Sequence, residues 1–265
     1  MRPTLALPLP GTVRDPLYPD SDGRFMGDTD YHSVAMICLR QGLEDYFADR
    51  DDVYVGMNLI LYYEQGQPNS RRDPDILVAK GVGKHRRRSF RVWEEKTCPS
   101  TLLEVVSAST IAVDLGEKRV LYERLRIPEY FLFDPEARYM KPPLRGFRLR
   151  RGKYEELKPA ADGSLISKEL DLRLVPEGEL LRLIDLKTGK PVLTRQEQAE
   201  RAKERVRIER RRTRQEQQRA EEEKQRAEEE KQRAEEEKRN AAALAAEVER
   251  LRALLKQHHI NGGGR

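Results

Sequence analysis

The sequence predicts a mixed α/β (α+β) domain over its first 190 residues, with a sheet core flanked by helices, followed by one long charged helix. Three observations predict it. Segments of helical and strand period follow one another as helix, strand, strand, strand, helix, strand, an order that suits a mixed sheet covered by helices. All 17 aromatic residues lie before position 191. The last 75 residues carry 20 Lys+Arg against 16 Asp+Glu and no aromatic, so they cannot easily build a second core.

Each element has its own signal. Residues 1–27, rich in Pro, Gly and Asp, read as a loose leader. Asp28, Thr29 and Asp30 offer cap oxygens. From Tyr31 to Ala48, Val34, Ile37, Cys38, Leu39 and Leu43 recur at helical spacing. Residues 53–63, VYVGMNLILYY, read as one strand and residues 75–79, DILVA, as a second. Residues 80–100 form a polar, basic excursion. The run 101–106, TLLEVV, is apolar on both faces, which places it centrally in a sheet. A helix over 112–126 carries Leu115, Leu121 and Leu125 on one side. The strand 129–133 stops at Asp134-Pro135, and alternation over 147–186 predicts hairpins.

The tail follows another rule. EEEKQRA recurs between Glu221 and Ala241, with Ala220, Ala227, Ala234 and Ala241 seven apart. In heptads with those alanines at a, Glu223, Glu230 and Glu237 fall at d, too polar a seam to drive dimerisation. The repeats read as a solvated single helix with pairs such as Glu222–Arg226 and Glu229–Arg233. The register then reaches Leu244, Val248, Leu251 and Leu255, an apolar seam of about two heptads, short of the three or four that define a coiled coil. The expected domains are therefore 28–193 and a helical tail over 194–258, with a disordered end at 259–265.

Composition excludes several classes. No run of about 18 apolar residues exists, so no membrane helix is expected. The prolines in MRPTLALPLP argue against a signal peptide. Cys38 and Cys98 are isolated, which excludes a disulfide framework and a cysteine zinc site and suits a reducing cytoplasm. The net charge is +5, yet residues 1–190 hold 31 basic and 30 acidic residues, so the basic excess is mostly in the tail.

One constellation carries chemistry. Asp75 opens a strand, Glu104 sits inside an apolar strand, and Lys118 lies on the next helix. A charge in an apolar strand is costly unless paired or bound to a metal. If the two strands are neighbours, both carboxylates meet at one end of the sheet, where hard oxygen donors suit Mg²⁺ completed by water and phosphate. A nearby ammonium then holds a water in line and stabilises developing charge. The same residues also allow a purely structural reading, with Asp75 in a turn and Glu104 bridged to Lys118.

PDILV, LLEVVSAST, DLGEKRVLYERLRIPEYFLFDP and PPLRGFRL, in that order, resemble the Uma-type family of restriction endonucleases, within the PD-(D/E)XK nuclease superfamily. The resemblance spans about residues 20–195. It implies a restriction-endonuclease-like core, a Mg²⁺ (or Mn²⁺) site, and hydrolysis of phosphodiester bonds in DNA. Asp75 and Glu104 take the metal-ligand places. The superfamily lysine position is Val106 here, and the resemblance moves that role to Lys118 on the following helix. Asp28 takes the place of a further acidic ligand; by residue type alone it reads as an N-cap.

Lesser candidates surround these. Asp114 lies one turn before Lys118 and Tyr122 one turn after; pairing and packing are their plain readings. Ser107 and Thr110 read as caps, and His32 as a structural histidine near the cleft. In the excursion, Lys84, Arg86, Arg87 and Arg88, with Lys80, His85 and Arg91, are expected to contact the nucleic-acid backbone. Expected partners are DNA and, through the tail, a second copy or a partner helix, with no membrane. A catalytically inactive nucleic-acid-binding module, and an adaptor working through its C-terminal helix, are the rival functions.

Overall fold

A computed structural model describes residues 29–261, with side chains as far as Lys256. Asp28, one of the expected ligands, lies outside the described residues. The chain divides into two compact units, one ending at Gln198 and one beginning at Ala199.

In the first unit, α1 spans Asp30–Tyr46, capped by Thr29, whose hydroxyl accepts from the His32 N–H at 3.3 Å. Strands β1 (Val53–Met57), β2 (Leu61–Tyr62), β3 (Arg71–Arg72), β4 (Ile76–Lys80) and β5 (Phe90–Arg91) follow. The short α2 (Val92–Glu95) leads to β6 (Thr101–Val105). A crossover helix then runs through α3 (Ile111–Val113), a π-turn (Asp114–Lys118) and α4 (Arg119–Arg124). Beyond it come β7 (Glu129–Phe133), β8 (Leu144–Arg150), β9 (Lys153–Glu156), β10 (Leu165–Ser167), β11 (Leu172–Glu177) and β12 (Leu180–Asp185).

Six strands form the main sheet in the order β1-β4-β6-β7-β8-β9. Only β6 and β7 are parallel within it, and the crossover helix connects them. The sheet is mixed, and the apolar TLLEVV run supplies an interior strand, as its two-faced pattern predicts. One face packs on α1 and on the small β10-β11-β12 sheet, through Ala35, Leu39, Leu43, Ile76, Leu103, Phe131 and Leu172. The other face packs on the crossover helix and the β3-β2-β5 sheet, through Leu61, Leu77, Phe90, Leu102, Tyr122 and Tyr130. Gly146 permits the close approach on the first face: a Cβ there would lie 2.7 Å from the Phe131 ring and 2.9 Å from Leu165.

Three expectations are corrected. The 53–63 run is two strands, because Asn58 adopts φ 48° and donates its N–H to the Asp75 carbonyl at 3.0 Å. That break sends β2 into a different sheet. The excursion 80–100 is partly ordered: Phe90 is buried and β5 pairs in parallel with β2. The buried stripe of α1 is His32, Ala35, Met36, Leu39, Gly42 and Leu43, while Val34 and Ile37 are exposed. Small residues decide that rotation: Gly42 lets Leu183 approach to 3.2 Å of where a Cβ would stand.

Helix α5 covers Arg195–Asn261. It starts with a reciprocal cap, Glu197 N–H to Thr194 Oγ1 at 3.2 Å and Thr194 N–H to Glu197 Oε2 at 2.8 Å. In the second unit every described side chain, from Ala199 to Lys256, is exposed. A helix polar around most of its circumference is consistent with that solvation.

Candidate active site

The site forms where β4 begins and β6 ends. The antiparallel register pairs Ile76 with Leu103, so the next step outward sets Asp75 beside Glu104. The contact is reciprocal. The Asp75 N–H donates to Glu104 Oε2 at 3.2 Å, and the Val105 N–H donates to Asp75 Oδ2 at 2.7 Å. Strand alternation puts Glu104 on the same face as Leu102, under the crossover helix.

That helix presents three polar side chains one turn apart. Lys118 Nζ lies 2.9 Å from Glu104 Oε2 and 3.0 Å from Asp114 Oδ1. The Tyr122 hydroxyl donates to Glu104 Oε1 at 3.2 Å. The Tyr130 hydroxyl donates to the Asp114 carbonyl at 3.0 Å, which fixes the π-turn to the sheet. His32 closes the rim from α1, with Nε2 3.8 Å from Asp75 Oδ2.

Electrostatics follow from this crowding. Glu104 and Asp114 are each 1% exposed, whereas the Asp75 side chain keeps 17%. Burial drives the Glu104 carboxyl well above its usual range; Lys118 opposes the shift, and Asp75 and Asp114 reinforce it. Burial pulls the Lys118 ammonium down, but Glu104, Asp114 and Asp75 outweigh it and hold the amine above its usual value. The Tyr122 phenol is pushed up by burial and by Glu104, so it stays a neutral donor. Two further carboxylates, Asp75 and Asp114, thus share one ammonium with Glu104.

This donor set fits a hard divalent cation. Among the described residues no group of three or more His, Cys, Asp and Glu is arranged as a ready-made metal cage. A Mg²⁺ site does not need one: one or two carboxylates plus water and phosphate oxygens suffice. Asp75 is the accessible member of the cluster, and Glu104 stands directly behind it.

The family model described as "Uma2: Putative restriction endonuclease" matches residues 15–177, more than half of the chain. The chain belongs to the Uma2 family. A crystal structure of a "putative nuclease belonging to DUF820" from Anabaena variabilis is similar at 13% identity and TM-score 0.43. The match covers 57% of this chain and 81% of that one. No curated protein matches the chain.

In this Uma2 member the expected phosphate contacts separate into two groups. Arg87 is a structural residue: its side chain is 3% exposed and forms a fork on Glu95, at 2.6 and 2.8 Å. It also lies 4.2 Å above the Tyr54 ring. Lys84 donates to the Phe47 and Ala48 carbonyls at 2.7 Å, at the C-terminal end of α1, where a cation complements the helix. Lys80 pairs with Glu169 at 3.0 Å. Arg86 and Arg88 are exposed. Arg87 and Lys84 thus engage their donors within the fold. A groove of about 690 Å³ runs along the outer edge of β1, lined by Arg40, Phe47, Tyr54, Met57, Lys84 and Arg86 among others. Neither catalytic candidate carboxylate lines it, but Met57 pairs with Ile76, the neighbour of Asp75.

Asp114 makes the i,i+4 pair with Lys118 that its spacing predicts, while Tyr122 adds a hydrogen bond to Glu104 and His32 a contact with Asp75 that packing alone does not describe. The four-residue spacing of Asp114 and Lys118 was the signal for that pair; the same spacing placed Tyr122 beside them without showing its bond. His32 was placed near the cleft by its position on the first helix, but its contact with Asp75 joins distant segments and left no local signal. Ser107 bonds within its own turn, to Ser109 at 3.1 Å and Thr110 at 3.2 Å. Val106, at the usual lysine position, is 2% exposed in the core.

Proposed function

We propose that the protein is a Mg²⁺-dependent endonuclease that hydrolyses phosphodiester bonds in DNA. Family membership supports a nuclease. The observation that carries the finer reading is the meeting of Asp75, Glu104 and Lys118 at one strand end, with negative charge in excess. Asp75 and Glu104 would hold the ion; Mn²⁺, with similar ligand preference, would replace it. When bound, the metal supplies Lewis-acid polarisation of phosphate and water.

The remaining work falls to the chain. Lys118 is kept charged and donates to a water or to a non-bridging phosphate oxygen, which orients attack and stabilises charge on phosphorus. Water oxygen forms the new bond to phosphorus as the bond to the leaving oxygen breaks. The water's proton passes to solvent, and the leaving oxygen takes one up. Asp114 holds the amine at its post, and Tyr122 fixes the Glu104 carboxyl so that its oxygens do not rotate away. Arg86 and Arg88 supply backbone affinity.

Cleavage of supercoiled DNA in Mg²⁺ tests this. Asp75→Asn, Glu104→Gln and Lys118→Met are each expected to lower the rate by roughly 10²-fold or more while DNA is still retained. Equal cleavage by parent and variants removes the enzyme reading; binding without any cleavage leaves a nucleic-acid-binding module. Arg86→Ala with Arg88→Ala is expected to reduce the salt slope of binding by about one unit per lost contact. An unchanged slope removes those contacts.

A further inference from the structure

The end of α5 carries a feature that cleavage does not use. Leu244, Val248, Leu251 and Leu255 recur at alternating spacings of four and three, and all are exposed, between 40% and 69%. In the heptad frame of Ala220, Ala227 and Ala234 they occupy d, a, d and a. Val at a with Leu at d favours two parallel strands. Leu254, 46% exposed at a flanking g position, widens the strip.

Flanking charges separate this end from the repeats. Within the repeats g is Arg and e is Lys, so two parallel copies would set Arg219 against Lys224, Arg226 against Lys231, and Arg233 against Lys238. All three pairs repel, and the d positions are Glu. The next charged g position is Glu247, and its parallel counterpart at e is Arg252. Charge and apolar pattern therefore change together at the same heptad.

We propose that residues 241–255 are a homodimerisation site. Two copies of the chain pair in parallel and in register along Leu244, Val248, Leu251 and Leu255, with Glu247 of each copy opposite Arg252 of the other. An antiparallel pair sets g against g and e against e, so it cannot use these two charges together. The repeats stay apart and solvated, and the seam is short, so the dimer is concentration-dependent.

Sedimentation of the full chain tests the site. Its mass is expected to rise from 30.8 kDa toward twice that with concentration. Leu251→Glu is expected to leave monomer throughout. Glu247→Arg and Arg252→Glu are each expected to weaken dimerisation at least tenfold alone. Mixed in equal amounts they restore it, because the two variants complement each other across the seam. A parent that stays monomeric up to its solubility limit overturns the proposal. So does a mixture no tighter than either variant alone, which would mean another register or another occupant of the seam.

Discussion

Glu104 illustrates how one side chain sets the requirements of its surroundings. A carboxylate 1% exposed needs charge and hydrogen bonds, and it receives an ammonium, a phenol and a backbone N–H. The cost of a Glu in TLLEVV was legible from the sequence, and so was Lys118 as a partner. The phenol was not, because a Tyr on an apolar face is satisfied equally well by packing. Arg87 is the opposite case. In a run of three arginines its neighbours are exposed, while its own guanidinium is enclosed by Glu95 and Tyr54. Position in a basic run does not distinguish them; only the fold does. Arg87→Ala is expected to destabilise the protein by about 2–3 kcal/mol, as loss of charge-assisted hydrogen bonds does. The Arg87 hydrogen bonds hold the Glu95 carboxyl below its usual range, against a smaller upward push from burial. A depressed folded-state value adds stability above the ordinary carboxylate range and loses it as pH falls through the folded value. The gap between parent and variant melting temperatures is therefore expected to narrow below about pH 4. A gap that is constant from neutral to acid would show that packing, not the ion pair, sets it.

At the scale of elements, the crossover helix carries Asp114, Lys118 and Tyr122 to Glu104. Its extent was legible from leucine spacing, but its π-turn was not, since hydrophobic period does not register one extra residue in a turn. The π-turn matters because a regular helix drifts by about 40° every four residues at ~3.6 residues per turn. One wide turn between Asp114 and Lys118 offsets the drift, so Asp114, Lys118 and Tyr122 all face Glu104 and its neighbours. Deleting Gly116 is expected to restore a regular turn and lower cleavage roughly 10²-fold through misplacement of the amine. Gly116→Ala is the control. A Cβ there meets nothing within 4 Å, so activity should persist. Full activity in the deletion variant, or its loss in the alanine variant, would contradict this role. The long β1–β2 run failed for a related reason: Asn58 breaks it through a backbone angle that residue pattern alone does not reveal.

Across the whole molecule, the chain divides into two compact units after Gln198, where composition placed the start of the tail at 194. The mixed sheet followed from element order, and the central place of β6 from its two apolar faces. The β10-β11-β12 sheet was read only as hairpins. What docks it is Glu129, buried on β7, which accepts the Lys168 N–H at 3.0 Å, Arg148 Nε at 2.7 Å and the Ser167 hydroxyl. Such a contact between segments nearly forty residues apart leaves no local trace.

The proposed chemistry rests on the carboxylates at Asp75 and Glu104, and Mn²⁺ titration followed by electron paramagnetic resonance tests it most directly. One ion per chain is the expected stoichiometry, with affinity weakened at least tenfold by Asp75→Asn and by Glu104→Gln, in protein whose circular dichroism is unchanged. Binding by these two variants as tight as by the parent, or no binding by the parent at all, would contradict the account.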